Sequence, residues 1–237
     1  MPEHPADALR EYATLYPEVV HAGSLRDALQ TAADRAGHAL AVEPTSAPGW
    51  RHVAAQVEAD GRTATVLMLR GDERDFRVTC RAHDIGMATG SVQDLSRAAG
   101  AVHTWIQGAG VRELTDRWPF LRTWELAEAH ERGETEAIAV RWRMMQRGPA
   151  PRRDADFGEL VRAAFEHRRL RALSPGRSMC WLTLSRSATY PVVRDFPRTR
   201  PLGAGRYEVM FLDRSVQEVD GATATVAVIV DNLPPDL

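Results

Sequence analysis

The segment from Ser91 to Gln146 constrains this chain most, because it reads as a run of helices set between stretches that read as strands and loops. Ser91-Val92-Gln93-Asp94 has the spacing of a capping box, in which a side-chain oxygen satisfies an orphan amide at a helix start. Leu95, Ala98, Ala99, Val102, Trp105 and Ile106 then recur at the interval of one helical face, and Gly108 ends the run. Val111, Leu114 and Trp118 make a shorter face that Pro119 closes. Thr123 to Arg132 and Glu134 to Arg147 continue as helices separated by Gly133, the last with Ile138, Trp142 and Met145 on its buried side. A helical layer of this length needs a second layer to cover.

That layer lies just upstream. Val53, Ala55 and Val57 alternate with polar neighbours, and Asp60-Gly61 supplies a two-residue turn that favours positive φ. Arg62 to Arg70 returns, Gly71-Asp72-Glu73 turns again, and Phe76, Val78 and Cys80 alternate with polar residues. Cys80 therefore points into the core as a small hydrophobe, and Ile85 to Thr89 adds a short edge strand. Further towards the N-terminus, Pro5 to Leu15 reads as a helix stopped at Tyr16-Pro17. Ser24 caps a second helix with Leu25, Ala28, Leu29, Ala32 and Ala36 on one face and Gly37 as its stop. Ala39 to Val42 follows as a strand, and Pro44 to Gly49 as a loop.

Beyond the helical block, Gly148 to Arg153 (GPAPRR) reads as a linker. Asp156 then caps a helix that buries Phe157, Leu160, Val161, Ala164 and Phe165. Met179 to Ser185 and Arg206 to Leu212 read as strands, with Pro191 to Gly203 as a proline-broken loop between them. The predicted fold is α+β, an antiparallel sheet covered by a helical layer over residues 1–147 and a smaller αββα unit packed on it over residues 154–237.

Composition narrows the chemistry. All 30 basic residues are arginine, which argues against a Schiff-base enzyme, a Walker-type phosphate loop and a protein-kinase fold, since each relies on a lysine. Two cysteines in separate segments suggest neither a disulfide framework nor a cysteine-based zinc site. No apolar run approaches a bilayer span and the N-terminus is acidic and polar, which leads to the expectation of a cytoplasmic protein with no membrane contact. Arg141 to Arg177 holds ten arginines, but several fall at a helix end, where cations complement the dipole, so nucleic acid is not an expected partner. No metal site and no cofactor is expected: there is no HExxH, no GxSxG and no GxGxxG, and His83-Asp84 alone is too sparse.

Several stretches together resemble a known family: HAGSLRDAL near the start, DLSRAAGAVHTWIQGAGVRELTDRWPFL in the middle, AEAHERG followed by the helix ending in RWRMM, and GRYEV ahead of NLPP. It is an actinobacterial family of unknown function labelled as a natural-product biosynthesis protein, and the resemblance runs from about Leu15 to the C-terminus. An arginine-only, alanine-rich and glycine-rich composition suits such a source. The resemblance implies a setting in or near secondary-metabolite gene clusters, and no reaction or catalytic residue. Thr223 to Val230 fits a strand by its β-branched residues and a helix by the spacing of Val226, Ile229, Val230 and Leu233; Pro234-Pro235 and the resemblance favour helix.

Candidate chemistry is sparse. His130 and Glu131, with Arg132 beside them, form the densest polar cluster of the helical block and suit acid–base work, although adjacent helical side chains point about 100° apart. His103 lies beside the apolar stripe of Val102 and Trp105. Four of the six tryptophans fall in the helical block, so Trp105 and Trp142 are candidate ligand-binding residues, with Arg112 and Arg143 orienting an anionic group. Two readings follow. In the first, an accessory protein binds a peptide or a small-molecule pathway intermediate along a sheet edge or the tryptophan-lined face. In the second, a cofactor-independent enzyme uses His103 or His130 with a carboxylate such as Glu113 or Glu131.

Overall fold

The computed structural model describes residues 9–45, 50–147, 155–189, 195–235 and 237. The chain forms two compact units, Met1–Glu128 and Ala129–Leu237, each with its own antiparallel sheet. The α+β class expected from the sequence is the class observed.

In the first unit a 3-10 turn, Arg10–Tyr12, precedes helices α1 (Pro17–Ala22) and α2 (Leu25–Arg35). Strands β1 (Glu43–Pro44), β2 (Ala54–Ala59), β3 (Arg62–Met68), β4 (Phe76–Ala82) and β5 (Ile85–Val92) follow, then α3 (Leu95–Ile106), α4 (Val111–Arg117), β6 (Leu121–Arg122) and α5 (Glu125–Arg132), within which the division falls. The sheet runs β1 to β6 in sequence order. Its alternation is the expected one: Val66, Phe76, Val78 and Cys80 are buried, and Asp60 and Gly61 turn at φ of 50° and 73°. Burial pushes the Cys80 thiol up to about 12.

Four local expectations are corrected. Pro17 opens a helix instead of ending one, because its fixed φ and missing N–H suit the first helical position. Tyr16, fully buried before it, donates its hydroxyl to Leu69 O at 2.8 Å and accepts from Asp75 N at 2.8 Å. Ala39 to Val42 joins no ladder: Leu40 N turns back to His38 O at 3.0 Å, and other backbone groups bond to side chains of α2. Gln30 donates to Leu40 O at 3.0 Å and accepts from Val42 N at 3.1 Å, and Arg26 donates to Val42 O at 2.9 Å. Ser91 belongs to β5, and Asp94 caps α3 by accepting from Ser96 N at 2.7 Å. Finally, β5 is longer than expected and interior, because β6 pairs with it at Thr89 and Gly90. A Cβ on Gly90 would lie 2.0 Å from Phe120 O, so only glycine lets β6 approach.

The second unit contains α6 (Glu134–Arg147), α7 (Ala155–Glu166), α8 (Arg168–Arg171), β7 (Ser174–Ser178), β8 (Trp181–Ser185), β9 (Arg198–Gly203), β10 (Arg206–Met210), β11 (Val216–Asp220) and α9 (Ala222–Asp231). Its sheet also runs in sequence order. The expected linker, Gly148 to Arg153, lies outside the described residues. Where two strands were expected there are five. β9 falls in the stretch read as a loop, and Pro201 is tolerated there because the ladder to β8 is confined to Leu182 and Thr199. Asp156 lies in the first turn of α7, where its carboxylate accepts from Gly205 N at 3.4 Å. The ambiguous Thr223 to Val230 is helix: Thr225, Val226 and Ile229 are buried, and the Thr225 hydroxyl is satisfied by Gly221 O at 2.8 Å. Trp142, Leu160, Leu170, Tyr207 and Val209 centre this core. Among the described residues, no helix is long and apolar enough to cross a membrane.

Candidate functional site

The second unit holds an apolar cavity of about 650 Å³ beside Trp142. Thr135, Ile138, Ala139, Trp142 and Arg143 line it from one side of α6 at i, i+3, i+4, i+7 and i+8, a stripe that a helix presents on a single face. Phe165 of α7 lines it too, its ring 5.6 Å from that of Trp142. Trp142 is fully buried and donates its indole N–H to Arg171 O at 3.1 Å and Leu173 O at 2.9 Å. These are carbonyls at the end of the one-turn helix α8, which lack intrahelical partners. That helix is RRLR: Leu170 is buried, which leaves Arg168 and Arg171 to line the cavity, with the Arg171 guanidinium 5.7 Å from the Phe165 ring centre. The cavity thus joins an apolar body of Ile138, Ala139, Trp142 and Phe165 to three arginines, and among the described residues no acid, histidine or cysteine lines it.

A second constellation surrounds His130. Gly133, at φ +122°, breaks between α5 and α6 and allows Glu134 to start the next helix. Glu131 is exposed, whereas His130 is half-buried with an Nε2 that has no hydrogen-bond partner among the described residues. Burial lowers the His130 pKa and nearby Arg141 lowers it further, while Glu134 works against both. Glu134 is itself held below the usual carboxylate range by the Ser187 hydroxyl and by Ala188 N–H, the latter at 2.7 Å. Arg141, its pKa lowered by burial, donates to Ala188 O at 2.8 Å. The charged groups facing His130 are therefore Glu134 and Arg141, and both are already engaged in fixing the peptide at Ala188.

The other candidates belong to the first unit. Trp105 is fully buried, donates to Thr63 O at 3.0 Å and lies 4.2 Å beneath the Arg62 guanidinium. Arg112 is exposed and bonds Glu128 at 2.7 Å. His103 stacks on His38 with ring centres 4.4 Å apart, and burial, His38 and Arg117 together lower its pKa. A hollow of about 720 Å³ among α1, α2 and the start of α3 is lined by charges of both signs, Glu18, Arg35, Arg74 and Asp94, with Arg74 donating to Glu18 at 3.0 Å and to the carbonyls of Leu15 and Gln93. Of the four ligand-binding candidates, the structure brings together Trp142 and Arg143. Sequence reasoning missed Arg168, Arg171 and Glu134; the RRLR spacing and the four-residue step from His130 to Glu134 were the available signals.

Residues 136–237 match the model of a family of unknown function, DUF6193. The matched region begins in α6 and takes in every residue of the cavity except Thr135. No curated protein and no solved structure matches the chain.

Proposed function

We propose that this is a binding protein whose ligand joins an apolar body to a carboxylate or phosphate, held in the cavity beside Trp142. One observation carries the reading: apolar and aromatic walls meet three arginines in a space of a size that suits small ligands, and among the described residues no acid or histidine lines it. Arginine suits planar anions through paired, charge-assisted N–H bonds. The actinobacterial natural-product setting implied by the sequence resemblance would supply such a ligand as a pathway intermediate, with this chain as an accessory protein. Calorimetric titration with decanoate and with decanol tests this. Decanoate should bind about tenfold more tightly than the neutral alcohol, and Arg168→Ala with Arg171→Ala should abolish that preference. Equal binding of the two, or binding of neither, would overturn the proposal.

A second reading, acid–base catalysis without a cofactor, is favoured by the buried Nε2 of His130, which has no hydrogen-bond partner among the described residues. Incubation with extract of a producing strain separates the two. A metabolite that changes mass with the wild-type protein, and ceases to change with His130→Gln, would establish an enzyme.

A further inference from the structure

The two sheets treat their edges differently. In the first unit β1 and β6 are two residues each, and β1 ends on Pro44, so neither offers a length of unpaired backbone. In the second unit β7 carries Pro175 and packs against α6. β11 has no proline, and the helix that meets it, α9, is the one that follows it directly: it is five residues long, Val216, Gln217, Glu218 and Asp220 are exposed, and among the described residues it is bonded to β10 alone.

The register shows which of its groups are open. Phe211 N donates to Ser215 O at 3.0 Å at one end of the hairpin, and Gly221 N donates to Gly205 O at 2.8 Å at the other. Between them the pairing is unbroken from Arg206↔Asp220 to Met210↔Val216. Hydrogen-bonded pairs alternate in an antiparallel ladder, so Tyr207 with Val219 and Val209 with Gln217 exchange the inner bonds. The backbone N–H and C=O of Val216, Glu218 and Asp220 consequently point away from β10, about 6.8 Å apart at two-residue steps. That is a template for one more strand.

Charge selects the occupant. β11 carries Glu218 and Asp220 and no basic residue. The cation seen on Glu218 is Arg206 at 3.4 Å, with both side chains more than half exposed, an arrangement that neutralises little. Pairing with a second copy about Glu218 or Val219 brings acidic side chains opposite or beside one another, which is unfavourable. The geometry points to β-strand addition at β11 by an extended segment of a partner protein with basic residues at alternate positions, set against Glu218 and Asp220. This rests on the edge alone and is independent of the Trp142 cavity.

Fluorescence anisotropy with a capped, labelled peptide that alternates lysine with valine tests it on the full chain. The lysine peptide should bind about tenfold or more tightly than its glutamate counterpart, and Glu218→Lys should reverse the order. N-methylation of alternate amides in the lysine peptide, which keeps its charge and removes the bonds a strand must make, should abolish binding. Glu218→Pro should also abolish it, because that amide is not used in the β10 ladder; protected Tyr207 and Val209 amides on hydrogen exchange would verify the intact hairpin. Equal binding of the methylated peptide would reduce the effect to charge attraction and overturn strand addition. Concentration-dependent dimers lost in Glu218→Pro would overturn it in favour of a second copy.

Discussion

Both units wind an antiparallel meander in sequence order, set helices against it and bury large aromatic side chains, Tyr16, Phe76 and Trp105 in the first, but they pack their helices differently. The first places alanines where α2 and α3 meet, with Ala28, Ala32 and Ala33 on one helix and Ala98, Ala99 and Ala101 on the other, all buried. The second relies on Trp142, Phe157, Phe165 and Tyr207, larger and less divisible shapes, and leaves an apolar cavity beside two of them. The first ends its sheet in two-residue strands, while the second ends in the open strand β11. The difference lies in the lining of the space each unit keeps: the first unit's hollow of about 720 Å³ passes over Ala28 and Ala32 among Glu18, Arg35, Arg74 and Asp94, whereas the second unit's cavity of about 650 Å³ joins aromatic and aliphatic walls to arginines alone among the charged residues described. The family match over residues 136–237 falls on that unit.

The contrast can be broken most sharply at Trp142. Trp142→Ala should cost about 3–5 kcal/mol, as large-to-small core substitutions do. Hydrogen exchange should quicken in α7, β8 and β10 while β2 to β5 stay protected; equal loss in both units would erase the distinction between two cores. Gly90→Ala is its counterpart in the first unit. Its methyl would meet Phe120 O, and the expected loss is about 1–3 kcal/mol, read as lower thermal stability with faster exchange at β5 and β6. Arg171→Ala should leave the melting temperature nearly unchanged and weaken decanoate about tenfold, which separates ligand contact from folding.

The smallest expected effect is on pH dependence. His130 and His103 both have folded pKa values below the ordinary histidine value of 6.5. The folded state thus binds fewer protons than the unfolded one, and their contribution is intact above about pH 6.5 and declines as pH falls from there towards each folded value. His130→Gln should flatten that acid limb for the second unit alone, and His103→Gln for the first alone, as followed by exchange at pH 5 and pH 7.

Sequence made the first unit's meander readable because Val57, Val66, Val78 and Cys80 alternate cleanly with polar neighbours around Asp60-Gly61. The second sheet was only partly readable. β7 and β9 carry Pro175 and Pro201, and β11 is exposed nearly throughout, so period-two alternation was faint in all three. Half of the cavity was legible, since Trp142 and Arg143 fall on a helical stripe. Arg168 and Arg171 were not, because a one-turn helix has too little periodicity to assign a face. Glu131 stood out as a partner for His130 by adjacency in sequence. Glu134 lies nearer to it in effect because the break at Gly133 reorients the chain between them.

Hydrogen–deuterium exchange of the full chain with and without decanoate tests the central claim most directly. The account predicts slowed exchange in Glu134–Arg147 and around Phe165 and Arg168–Arg171, with residues 17–35 and 94–96 of the first unit unchanged. Protection around that first-unit hollow instead, or none anywhere, would contradict it.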